Sequence, residues 1–180
     1  MVSVIIAADS QEKKFLTALQ NILSRNFKSI QCVGGCIDAR YDGAELFITD
    51  AQGLDFIYSS AAIFVFKDST KPFAEVETTG ERLAIVDSCN QDAIKLVSGT
   101  KMPAVTCGLS PCDTITLSSL SEDSAVIGLQ RCITCFDGTV LEPQEIPVSL
   151  CAQVSSFTLL CAAAIFILTG NIKKLSQVKI

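Results

Sequence analysis

Two rhythms of apolar residues alternate along most of the chain. Short, nearly unbroken apolar runs recur at Met1–Ala8, Ser29–Val33, Glu45–Thr49 (ELFIT), Ala61–Phe66 (AAIFVF), Arg82–Val86 (RLAIV) and Ala104–Cys107 (AVTC). Runs without polar alternation suit strands buried on both faces, as in a parallel sheet. Between them the spacing turns helical: Phe15, Leu16, Leu19, Ile22 and Leu23 follow the first run, and Asn90–Val97 (NQDAIKLV) follows the fifth. Asp9 or Ser10 can cap the first of these helices, with Glu12 in its first turn. Further short helices are expected at Ala51–Ser59 and Phe73–Thr79, the second inside a polar loop carrying Pro72. Strands that alternate with helices imply parallel pairing, since each crossover needs a covering helix.

From Thr114 onward the rhythm changes to β-rich alternation: DTITLSSL, SAVIGLQRCITCF and TVLEPQEIPVSL. The last two are separated by Asp137-Gly138, a strong hairpin signal because such turns need positive φ. Residues 114–150 are therefore expected to form an antiparallel, hairpin-containing portion. No charged residue lies between Glu145 and Lys173. Within that stretch, Val154–Gly170 admits two environments, a buried core helix or a membrane anchor, because ~20 apolar residues suffice for one crossing. Its many small residues, Ala162–Ala164, Ser155 and Ser156 among them, favour a core helix over 153–171 wedged against the sheet. The predicted architecture is one domain, 1–180, of class α/β. It is a mostly parallel, P-loop- or Rossmann-like three-layer sheet covered by helices, with an antiparallel hairpin in its C-terminal half.

Charge and cysteine content narrow the chemistry. The net charge of -5 is spread without long like-charge blocks, so no basic face is available for a nucleic-acid backbone and no nucleic-acid partner is expected. The chain has no histidine, which removes Ser-His, Cys-His and His-metal mechanisms from its own repertoire. Nine cysteines are an odd number, and the first residues lack a signal-peptide pattern; reduced thiols used as small hydrophobes in a cytoplasmic protein are expected. A metal site is the sharper alternative: Cys132 and Cys135 have ligand spacing, which Cys32 and Cys36 or Cys107 and Cys112 could complete. Residues 132 and 135 of a strand would face opposite sides, however, and no metal is assigned.

The order of these motifs resembles the central, ATP-binding domain of the Mur ligase family, enzymes that join amino acids to cell-wall precursors. Arg82–Leu120 is similar to that family's strand, acidic Asn/Asp turn, helix, glycine-ended strand and Asp-containing strand; the last two are AVTCG (Ala104–Gly108) and CDTIT (Cys112–Thr116). Gln153–Ile172 is similar to its small-residue helix. The resemblance implies ATP and Mg²⁺ as cofactors, held by a G-T-x-G-K-[ST] loop after the first strand.

The departures from that pattern set the functional expectation. Where the loop should be, the sequence reads AADSQEKKFL (Ala7–Leu16), with no glycine to let backbone N–H groups wrap a phosphate and with Phe15 in the hydroxyl position. Asp9 and Glu12 stand where phosphate charge would lie. The middle motif, Asn then Asp-His-x-Asp, is represented only by FKDSTKPF (Phe66–Phe73), with Lys67 and Asp68 but no histidine. The family's flanking domains, for precursor and amino acid, have no counterpart in the sequence. A non-catalytic relative without cofactor is expected, acting as a binding or scaffolding module. Its partner would be a protein or a second copy in a homodimer over apolar surface that the flanking domains would otherwise cover. Lys13, Lys14, Asp87 and Asn90 are the candidate residual nucleotide contacts, and helix capping accounts equally well for Asp87 and Asn90. Two alternatives stay open: a nucleotide-binding enzyme or sensor with an altered phosphate loop, using ATP and Mg²⁺, and a small protein anchored in the membrane by residues 154–170.

Overall fold

The computed structural model describes residues 1–7, 13–33, 36–38, 43–50, 61–67 and 80–177. The predicted helices at 51–59 and 73–79, and the turn from Ala8 to Glu12, lie outside them.

Six of the apolar runs become strands, as expected: β1 (Val2–Ala7), β2 (Ser29–Val33), β4 (Leu46–Asp50), β5 (Ala61–Phe66), β6 (Glu81–Asp87) and β7 (Ala104–Gly108). Together with β3 (Cys36–Asp38), β8 (Ile115–Leu120), β9 (Ser124–Leu129) and β12 (Gln144–Ser149) they build one ten-stranded sheet in the order β12-β9-β8-β7-β6-β5-β1-β4-β2-β3. Pairing from β8 through to β2 is parallel throughout, while β3, β9 and β12 join antiparallel at the two edges. β1 lies between β5 and β4, so the strand order reverses around it. That reversal is the point at which open α/β sheets form a crevice at the carboxyl ends of their strands.

The period of two along each strand divides the core in two. Val4, Ile6, Ile63, Val65 and Ile85 face the layer made by α1 (Lys13–Asn26) and α3 (Ser156–Leu168). Their neighbours Ile5, Ala62, Phe64, Phe66, Ala84 and Val86 face α2 (Gln91–Gly99), packing against Ala93 and Val97. This is the three-layer arrangement predicted, and both faces of β5 are buried along its whole length.

In α3 every residue after Ser156 is buried. Its aromatic rings interlock with α1 at Phe15–Phe157, 5.5 Å between centroids, and with Phe27 at Phe166, 4.7 Å. Its 13 residues extend about 20 Å, short of the ~30 Å hydrocarbon core. No helix among the described residues is long and apolar enough to cross a membrane. The predicted span 153–171 is trimmed at both ends by caps. Ser155 accepts a bond from the Thr158 N–H at 3.2 Å. At the other end Gly170 takes φ +73° and α4 (Ile172–Leu175) follows. The Asn171 and Gly170 N–H groups close back on the carbonyls of Phe166 and Ile167, at 2.7 and 2.9 Å, the paired bonds of a Schellman motif. Donors from outside the helix complete the end: the Phe136 N–H donates to the Leu168 carbonyl at 2.9 Å, and the Cys135 thiol adds a second bond to Ile167 at 3.0 Å.

Those last donors belong to a small separate ribbon, β10 (Ile133–Thr134) with β11 (Val140–Leu141), which turns at Asp137-Gly138. Gly138 has φ +83°, as the hairpin signal requires. The antiparallel meander is present too, as neighbours β8, β9 and β12, but its first turn is Ser121–Asp123 and contains no glycine. Pro147 lies in edge strand β12, where a missing N–H is tolerated. One expectation about crossovers needs correction. β7 and β8 are parallel neighbours joined without a covering helix, because they overlap only at Cys107–Ile115 and Gly108–Thr116. So little overlap leaves a six-residue loop, Leu109–Thr114, able to turn the chain back.

Candidate functional site

The carboxyl ends of β6 and β7 carry a dense set of polar groups. Asp87 closes β6, and its Oδ1 accepts the Cys89 N–H at 2.9 Å in a tight local turn. That turn delivers Asn90 to the N-cap of α2, where its Oδ1 accepts the Ala93 N–H at 3.0 Å. The Asn90 Nδ2 also donates to the carbonyl of Lys67, tying the start of α2 to the end of β5. Ser88, between them, donates from Oγ to Asp113 Oδ2 at 3.1 Å, and its N–H bonds the Cys107 carbonyl at 3.0 Å.

Asp113 is the hub of this set. Its side chain is buried, and the same Oδ2 also accepts the Ser110 N–H at 3.0 Å. The carboxylate thus holds closed the short loop that lets β8 return beside β7. Gly108 leaves room for it: a Cβ there would lie 2.1 Å from Ser88 Oγ and 2.4 Å from Asp113 Oδ2. Below lies Cys107, whose thiol is pushed well above its ordinary value, first by burial and then by Cys161, Asp113 and Asp87. A thiol kept protonated is a poor nucleophile.

Lys13 and Lys14 open the described part of α1 and are both exposed. Lys67, at the end of β5, places Nζ 5.6 Å from the centroid of Phe15, the residue that follows them. Lys67 therefore links the start of α1, by way of Phe15, to the rim formed by Asn90 and Asp87. Along that rim Asp87 and Asn90 are engaged in turn and cap bonds, as the capping alternative expected. Ser88, Gly108 and Asp113 were not singled out as site residues. An acidic residue inside the strand-like run CDTIT was the available signal for Asp113.

Among the described residues no group of three or more His, Cys, Asp or Glu side chains is arranged to hold a metal ion. Cys132 is exposed whereas Cys135 is buried with its thiol on α3.

This mostly parallel α/β fold is shared with solved ligase structures. A murein peptide ligase from Psychrobacter arcticus matches over 97% of this chain and 46% of its own, with TM-score 0.56 and 9% identity. The UDP-N-acetylmuramate:L-alanyl-gamma-D-glutamyl-meso-diaminopimelate ligase from Neisseria meningitides matches over 99% and 66%, with TM-score 0.58 and 12% identity. MurF from Acinetobacter baumannii matches over 98% and 46%, with TM-score 0.55 and 10% identity. The chain thus has the fold of Mur ligase structures and spans between 46% and 66% of their length. No protein-family model matches the sequence, and no curated protein does so.

Proposed function

We propose that this chain is a non-catalytic binding or scaffolding module on a Mur ligase-type fold, serving cell-wall metabolism through a protein partner, a second copy included. The observation that carries it is the internal commitment of the rim. Asp87, Ser88, Asn90 and Asp113 bond to one another's turns and caps, and the space beside Gly108 is filled by two of them. A catalytic centre for phosphate activation needs donors and a metal-binding set aimed at the substrate. The glycine-free stretch between β1 and α1 supports the same conclusion, since backbone N–H groups cannot wrap a triphosphate there without it. The link to the cell wall comes from the names of the solved ligases that share the fold.

Titration calorimetry with ATP and Mg²⁺ tests this. No binding heat is expected up to millimolar nucleotide. Micromolar affinity that disappears in the Lys13→Ala/Lys14→Ala double variant would overturn it in favour of a nucleotide-dependent enzyme or sensor.

A further inference from the structure

A large hollow lies at the opposite, amino-terminal end of the strands. A cavity of about 1200 Å³ opens between the starts of β6 and β7 and the β10–β11 ribbon. It continues past Val2 and Ala61 into a second of about 760 Å³, sharing Glu81, Phe136 and Asp137 with it. Beyond Lys101–Ala104 a third, of about 380 Å³, lies under Ile94 and Val97 of α2. The first two, which share lining residues, form one groove crossing the starts of β7, β6, β5 and β1, neighbours in the sheet, while the third lies on the α2 side of the same sheet edge. At ~4.8 Å between strands that is about 14 Å, room for four or five residues of extended chain at ~3.3 Å each.

We infer that this groove binds an extended acidic segment of a partner protein, with Lys101 at its centre. The inference rests on the binding-module reading and names the partner's chemistry. Among the described residues Arg82, Lys101 and Arg131 line the groove against Glu81 and Asp137, a local balance of three minus two, or +1, in a chain whose net charge is -5. Asp137, whose Oδ1 accepts the Thr139 N–H at 2.9 Å, and Arg131, whose guanidinium donates to the Cys112 carbonyl at 2.7 Å, are each held locally and keep their charges. The groove's sign thus opposes that of the whole chain, which selects acidic ligands and steers them to this edge. One net positive charge cannot match the charge per nucleotide of a nucleic acid, whereas it suits a peptide carrying a few carboxylates between apolar residues. Leu83 and Met102, both partly buried, offer the apolar contacts.

The backbone supplies an independent sign. Lys101 has φ +57°, the left-handed conformation that follows the C-cap Thr100 of α2. Glycine takes that position without strain, and any other residue pays for it. A lysine held there at such a cost, lining both the central and the α2-side hollows, is what a ligand-positioning cation would require.

The test is fluorescence anisotropy on the full chain with labelled (Glu-Leu)₃ and (Lys-Leu)₃ peptides, paired with site-resolved alkylation of Cys132, an exposed thiol in the groove, against Cys151 as internal control. The acidic peptide should bind at least tenfold tighter than the basic one, weaken with salt, and protect Cys132 but not Cys151. Lys101→Gly should raise the thermal midpoint and yet weaken the acidic peptide at least fivefold. Equal binding of the two peptides, no binding by either, an unprotected Cys132, or unchanged affinity in Lys101→Gly would each overturn the inference. The ATP titration is decided separately, since the nucleotide-contact candidates Asp87 and Asn90 lie at the other end of the strands.

Discussion

Gly108 and Asp113 show how much of this fold turns on single atoms. Gly108→Ala would drive its new methyl against Ser88 Oγ and Asp113 Oδ2, breaking their 3.1 Å bond and overfilling the loop. Such overpacking typically costs about 1–3 kcal/mol, and a displaced polar group in a buried site adds to it. The urea midpoint of Gly108→Ala should fall accordingly. In a Ser88→Ala background, where the nearest obstructing oxygen is gone, the same substitution should cost measurably less; equal costs in both backgrounds would mean that the contact is not the cause. The sequence marked Asp87 and Asn90 as polar residues at a strand-to-helix turn, but side-chain type alone does not say whether a carboxylate faces a ligand or its own backbone. Only the bond partners decide that.

At the scale of elements, α3 is the clearest case of a sequence expectation made physical. Its apolar composition left two environments open; the way it ends identifies the one it occupies. Every late carbonyl is matched, by Thr169, Gly170, Asn171, Phe136 or Cys135, and a helix whose end is closed by such specific donors is built into a core. Gly170→Ala would put a methyl in a left-handed backbone 2.7 Å from Asp137 Oδ2. A loss of about 1–3 kcal/mol in chemical denaturation is expected. Ser155→Ala, at the other end, removes a single N-cap bond and should cost about 1 kcal/mol, so the ranking of the two checks which end matters more. The strands β1, β5 and β6 were legible because buried parallel strands leave an unbroken apolar run. The Asp137-Gly138 turn was legible because the turn needs a residue with positive φ, which Gly138 supplies. β3 is three residues long, too short for any periodicity, and the turn at Ser121–Asp123 uses no glycine or proline. The helix-free return from β7 to β8 was hidden because it depends on Asp113 reaching across to Ser88 and Ser110, contacts that no local spacing encodes.

For the molecule as a whole, the two sides of the core are not equally exposed to alkali. Cys107 on β7 and Cys161 on α3 are fully buried in the same layer, and burial is the first cause that raises both thiols above the ordinary value of 9.0. In the unfolded chain the same thiols ionise near that ordinary value. Above it, the unfolded state holds fewer protons than the native one, so unfolding becomes easier as pH rises. The stability tied to these thiols is complete below about pH 8.5 and is lost progressively above it, at up to about 1.4 kcal/mol per pH unit for each thiol. Urea midpoints between pH 8 and 10 should therefore fall steeply. Cys161→Ala isolates the effect from the titration of lysines and tyrosines: it creates a small cavity and lowers the midpoint at pH 8, but it should flatten the decline toward pH 10. An undiminished slope would mean that the native core lets Cys161 ionise, which a residue with no exposed surface has no means to do.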